Sequence, residues 1–189
     1  MARLYIEQTR FDDWIARAIA QHTSRTIEQP AKAATFLADE HLLMAAVAGY
    51  WLGTRLKNGR ERQRGNHLVA NVAVTAIVPH ILKTVIAQKR PDRCVIHGKR
   101  KGIPKSGKPY DAFPSGHAMH IGAVASALTR YFPKAKPVIL GGALLVAATR
   151  VVLLAHWTTD VLVGLGSGVA IEHLLWLLSQ TSQDISRHS

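Results

Sequence analysis

A single cysteine, Cys94, in a chain of 189 residues excludes an internal disulfide and leaves the redox compartment open. Acidic side chains are scarce as well: 12 Asp and Glu stand against 24 Lys and Arg, a formal net charge of +12. With a pI near 10.4, the chain is expected to meet negatively charged partners such as nucleic acid, anionic lipid or phosphate esters. No RNP, zinc-finger or basic-zipper pattern is present, and the basic residues cluster between apolar segments instead of lining a helix face. No nucleic-acid partner is therefore expected. The opening MARLYIEQTRFDDW lacks the apolar run of a cleaved export signal, and none is expected. Also missing is a clean run of about 20 apolar residues, the length of a spanning helix, and the mean hydropathy is only +0.05.

What the chain does have is apolar periodicity. Phe11, Trp14, Ile15, Ala18 and Ile19 follow helical spacing, with Arg10, Asp13, Arg17 and Gln21 on the other face, which predicts an amphipathic helix over 10–22. Such a helix fits a membrane interface or the protein's own core. Five apolar segments follow, at about 34–54, 67–87, 118–132, 137–155 and 159–179. The longest clean stretch in the first, Leu42–Gly53, has 12 residues; the fourth segment contains Arg150, and the fifth contains Glu172 and His173. All five read as helices, and runs such as LLWLL and VILGGALLVAA do not suit a wet surface. The expected fold is all-α: a membrane-embedded bundle of about five spanning helices behind the N-terminal amphipathic helix, with a soluble all-α core as the alternative. By composition the chain divides into an interfacial region at 1–33, a helical membrane domain at 34–180 and a polar tail at 181–189. The long irregular stretch 92–112 carries six Lys and Arg and reads as a lid or binding loop.

Three clusters carry chemistry. In KTVIAQKRP, Lys83 and Arg90 are seven residues apart, about two helical turns, so both cations can leave one face. Pro91 pushes Arg90 toward extended backbone. Read alone, the pair also fits two cations snorkelling from a helix end. In FPSGH, Ser115 is a good N-cap, a helix starting there aims free N–H groups outward, and Gly116 lets an anion approach. His117 stands beside that opening with a transferable proton; an ordinary helix start is the plainer reading. In TRVVLLAHWTTD, Arg150 and His156 lie about 240° apart around a straight helix, so a helix must end near Ala155 and another must start around Thr158–Asp160. Asp160, four residues beyond His156, is within reach of the imidazole's second nitrogen, and it also suits a helix cap. Arg150, at that depth, calls for an anionic partner.

In this order, Lys-x6-Arg-Pro, Pro-Ser-Gly-His and Arg-x5-His-x3-Asp, the sequence resembles the type 2 phosphatidic acid phosphatase (PAP2) and vanadium haloperoxidase superfamily over about residues 67–179. Thr149 departs from the family's usual Ser before the Arg but keeps the hydroxyl, so its phosphate hydrogen bond is expected to survive. The resemblance implies that His156 is the nucleophile, held by Asp160, and that His117 is the acid and then the base. It also implies that Lys83, Arg90, Ser115, Gly116 and Arg150 bind the phosphoryl oxygens. Three fixed cations and a helix N-terminus stabilise phosphoryl transfer without a metal, so no metal or other cofactor is expected. The pair His117/His120 lacks the acidic neighbours that a metal site needs.

The implied activity is that of a metal-independent lipid-phosphate phosphatase working through a phosphohistidine. Its substrate would be a membrane lipid such as phosphatidic acid, phosphatidylglycerol phosphate, an isoprenyl diphosphate or a lipid A phosphate, met in the bilayer. The alternatives are a phosphotransferase using the same intermediate, a vanadate-dependent haloperoxidase, a soluble acid phosphatase, or a transport or scaffold protein without turnover. The expected location is a bacterial inner membrane with the site on the periplasmic face.

Overall fold

The computed structural model describes residues 3–36, 39–96 and 106–188. It opens with a two-residue strand, β1 (Leu4–Tyr5), followed by α1 (Arg10–His22), the bounds that periodicity predicts. A reciprocal capping box closes the start of α1: Asp12 N–H donates to Thr9 Oγ1 and the Asp12 carboxylate accepts from Thr9 N–H, both at 3.1 Å. A second helix, α2 (Arg25–Phe36), lies in a stretch with no helix among the sequence-based expectations. Next come α3 (Glu40–Thr54), α4 (Gly59–Val85), the short strand β2 (Ile86–Ala87), α5 (Gly116–Tyr131), α6 (Lys136–Val152) and α7 (Thr158–His188). The last helix thus continues through the stretch read as a polar tail. Residues 97–105, the centre of the basic loop, lie outside the described residues, and so does any lid role assigned to them.

The protein is an all-α integral membrane bundle with α5 at its centre, packed by α4, α6 and α7. Among the described residues, three helices are long and apolar enough to cross a bilayer: Gly59–Val85, Pro133–Val152 and Thr158–Gln180. Five apolar segments were expected to span; α3 and α5 have 15 and 16 residues, or about 23–24 Å at 1.5 Å per residue, short of a hydrocarbon core of about 30 Å. The apolar side chains of α5 instead face protein: Ala118, Met119, Ala123 and Ala127 are fully buried. A belt of exposed Ile77, Ile81, Val138, Leu144, Leu145, Leu162 and Leu178 gives α4, α6 and α7 their lipid-facing surface.

Small residues let α5 and α7 touch backbone to backbone. A Cβ at Gly168 would stand 2.1 Å from the Met119 carbonyl oxygen, and one at Gly164 would stand 2.6 Å from that of Ser115. This is the close approach that a small-xxx-small spacing allows between membrane helices. At the end of this contact nearest Ser115 the N-termini of α5 and α7 lie side by side, and Ser115 N–H donates to the Asp160 carbonyl at 3.2 Å.

The chain before α3 wraps that same end. β1 pairs in parallel with β2, directly after α4, and Arg3 bonds both the Lys83 carbonyl and the Asp111 carboxylate. α2 packs on α6, and α1 on α7.

Candidate active site

Arg90 is the best-fixed side chain at this end. Its backbone is extended before Pro91 (φ −75°, ψ 150°), as the following proline requires. Gln88 N–H donates to Tyr110 O, Arg90 N–H to Pro109 O and Ala112 N–H to Gln88 O, at 2.9–3.1 Å. This ladder sets the segment after α4 beside the segment before α5. Three backbone carbonyls then hold the guanidinium: Lys108 at 2.9 Å, Ala155 at 2.8 Å and Asp111 at 3.0 Å. With Arg90 only 6% exposed, this fan of acceptors fixes the charge in place.

α6 ends at Val152 and α7 begins at Thr158, so His156 falls in the break that the Arg150–His156 spacing demands. Leu154 takes a left-handed conformation (φ 53°), uncommon for a residue with a Cβ, and it is fully buried. That residue folds the chain back, so that Ala155 and His156 N–H groups both donate to the Arg150 carbonyl, at 3.0 and 3.2 Å. The nucleophile candidate and Arg150 are thereby locked together.

The imidazole partner is not the one the sequence proposes. His156 Nδ1 lies 2.6 Å from the Ala112 carbonyl oxygen and 3.8 Å from Asp160 Oδ2. A carbonyl only accepts, so Nδ1 carries the proton and Nε2 the lone pair. The Asp160 distance is too long for a hydrogen bond. Its Oδ2 instead accepts from Trp157 N–H at 2.8 Å, closing the first turn of α7. The cap reading of Asp160 therefore holds, and its hold on His156 is electrostatic. Nε2 lies 3.4 Å from Arg90 Nη1. Burial, reinforced by the charges of Arg90, Arg150 and Lys83 and opposed by the Ala112 hydrogen bond, drives the His156 pKa well below its ordinary 6.5.

Lys83, Arg90, Gly116, His117, Arg150 and His156 all line one cavity of about 410 Å³. The first residues of α5 therefore open into it, and a 16-residue helix points N–H groups and dipole at an anion held there. Ser115 does not reach the wall: it is fully buried, and its Oγ caps α5 by accepting from Ala118 N–H at 3.4 Å. Thr149 does not either, since its hydroxyl donates to the Val146 carbonyl at 2.5 Å, where a phosphate bond was expected. Arg150 donates from Nη1 to Thr35 Oγ1 at 3.0 Å. Its Nε is buried with no hydrogen-bond partner among the described residues, the condition an arriving anion relieves.

Sequence reasoning missed several members of this wall. Lys32 and Thr35 come from α2, and His80 from α4; the Ala112 carbonyl has no side-chain signature at all. His120 also lines the cavity, with Nδ1 2.9 Å from Thr75 Oγ1. Among the described residues no group of three His, Cys, Asp or Glu side chains is placed to hold a metal ion.

One cavity thus brings together the N-terminus of the central helix, four cations (Lys32, Lys83, Arg90 and Arg150) and four histidines (His80, His117, His120 and His156), an arrangement suited to an anion. The chain belongs to the PAP2 superfamily, whose family model matches residues 64–184. It is 31% identical over 135 residues to a lipid A 1-phosphatase of Rhizobium etli, covering 67% of this chain and 57% of that protein. A lipid A 1-phosphatase of Rhizobium johnstonii is 32% identical, with 67% and 54% covered. This chain thus spans little more than half the length of those relatives. Its fold is similar to that of Aquifex aeolicus LpxE (TM-score 0.74, 17% identity, 92% of this chain and 99% of that one). It is also similar to a transmembrane PAP2-type phosphatidylglycerolphosphate phosphatase from Bacillus subtilis (TM-score 0.69, 19% identity, 90% and 85% covered).

Proposed function

We propose that the protein is a lipid-phosphate phosphatase that forms a phosphohistidine on His156. The observation that carries this reading is the convergence of Lys83, Arg90, Arg150, the α5 N-terminus, His117 and His156 on one cavity. Nε2 of His156 attacks phosphorus; the N–P bond forms as the P–O bond to the lipid breaks, and His117 gives its proton to the departing oxygen. Water then attacks phosphorus, His117 takes the water's proton, and the N–P bond breaks to release phosphate. Arg90, Arg150 and Lys83 neutralise charge on the equatorial oxygens, which is where this reaction needs stabilisation. Asp160 opposes the positive charge that His156 gains in the intermediate.

The similarity to lipid A 1-phosphatases and to a phosphatidylglycerolphosphate phosphatase supports a phosphorylated membrane lipid as substrate. The site lies at the ends of the spanning helices, where such a headgroup sits. The connections at the opposite end, 55–66 and 130–136, hold eight Lys and Arg. The site-side connection 88–115 holds eight as well, so charge asymmetry does not orient the chain; a site on the periplasmic side of a bacterial inner membrane rests on family analogy.

The test is phosphate release from lipid A phosphate, phosphatidylglycerol phosphate, phosphatidic acid and an isoprenyl diphosphate, with excess EDTA, comparing wild type with His156→Ala. Release by the wild type alone, undiminished by EDTA, is expected. Equal release by both proteins rules out His156 as the nucleophile.

A further inference from the structure

The helix α1 reaches the catalytic connection through a residue that the mechanism does not use. Asp12 is 1% exposed, and its carboxylate accepts four hydrogen bonds. Two come from its own cap, Thr9 N–H at 3.1 Å and Thr9 Oγ1 at 2.7 Å. Two come from the first turn of α7, Thr159 N–H at 2.9 Å and Thr159 Oγ1 at 2.7 Å. One turn along α1, Ala16 packs in a buried cluster with Leu154, Trp157 and Ala112. α1 therefore grips the chain on both sides of His156, and also the residue whose carbonyl sets its tautomer.

Among the described residues, little covers the other face of α1. Phe11 and Trp14 are 54% and 67% exposed, with ring centroids 6.4 Å apart. The occupant of that face follows from where the helix is attached. Thr159 is the second residue of the span Thr158–Gln180, so α1 sits where that span meets the headgroups. β1 is tied at the matching level, after the span Gly59–Val85. Exposed Tyr5 and Tyr110 complete an aromatic group at this depth, as at a membrane interface.

We infer that α1 seats Phe11 and Trp14 in the lipid interface, and that Asp12, as a positioning residue, transmits that seating to the His156 connection. Catalysis is thereby coupled to a lipid surface. The inference rests on the phosphatase reading for its kinetic test, and the measurements separate the two.

Full-length protein is assayed on a phospholipid phosphate in vesicles and on a water-soluble short-chain phosphomonoester. Asp12→Ala is expected to lower kcat on both substrates by about 10- to 100-fold with little change in KM, the signature of a displaced catalytic group. Thr159→Val should lower kcat in the same direction, and Thr159→Ser should restore it. Phe11→Ser/Trp14→Ser is expected to raise KM for the vesicle substrate roughly tenfold and to leave the soluble substrate unchanged. Brominated lipid should quench the fluorescence of wild type more than that of Trp14→Phe. Wild-type kcat in both Asp12→Ala and Thr159→Val, or quenching that is equal with and without Trp14, overturns the inference. Should the wild type release no phosphate at all, the phosphatase reading falls. The quenching then still decides the seating, and weaker binding of inorganic phosphate by Asp12→Ala decides the coupling.

Discussion

At the scale of single residues, the site is built by backbone groups acting on side chains. Arg90 is aimed by three carbonyls and His156 by a fourth, that of Ala112. The imidazole is buried beside Arg90, Arg150 and Lys83, which keeps it neutral below its ordinary 6.5 and leaves its lone pair free to attack. The sign for stability follows. Unfolded chains take up a proton at this histidine as pH falls through 6.5 while the folded protein does not, so stability declines on that side. His156→Gln removes this proton uptake. The melting temperature of that variant should fall less steeply than that of wild type below pH 6.5, measured by thermal unfolding in detergent. The His156 ring resonances should likewise not titrate near 6.5.

At the scale of elements, the contact between α5 and α7 holds the two helix N-termini together. Gly166, between the two packed glycines, would place a Cβ in open space, which supplies a control within the same motif. Gly168→Val drives a side chain into the Met119 carbonyl. It is expected to cost about 1–3 kcal/mol, whereas Gly166→Ala stays near wild type; equilibrium unfolding in detergent measures both. Equal effects at the two positions would show that close packing of these helices is not what matters. Sequence patterning captured much at this level: the α1 bounds, the Ser115 cap and the break before α7 all depend on near neighbours. The second helix went unassigned although Ile27, Pro30, Ala31 and Ala34 have helical spacing; what no local pattern carries is its placement on α6, with Thr35 meeting Arg150, 115 positions away.

At the scale of the whole molecule, the bundle has a cavity end and a clamped end. Glu172, fully buried, accepts from Ser126 Oγ at 2.6 Å and from Arg130 Nε and Nη2 at 3.1 and 3.2 Å. Arg130 stacks on Trp176 at 4.2 Å, and His67 Nε2 lies 3.7 Å from the same carboxylate. Chain segments from α4, α5 and α7 are thus joined far from His156. Glu172→Ala leaves Arg130 without its acceptor and should cost about 1–3 kcal/mol, with kcat unchanged once the protein is folded. Unfolding and turnover measured on one preparation check this; a fall in kcat equal to that of a site variant would mean that the two ends are coupled.

Residue order, local chemistry and the family resemblance were enough to identify an all-α chain and the residues that meet in one cavity. Each of those features is encoded by spacing along one helix or by a proline, glycine or cap beside it. Tertiary structure decided the rest. It replaced Asp160 with a backbone carbonyl as hydrogen-bond partner of His156, turned Ser115 and Thr149 away from the cavity, and kept α5 inside protein. It also set Asp12 on Thr159, 147 positions away. Such pairings depend on which segments meet in space, and a carbonyl that any residue type carries leaves no mark in the sequence.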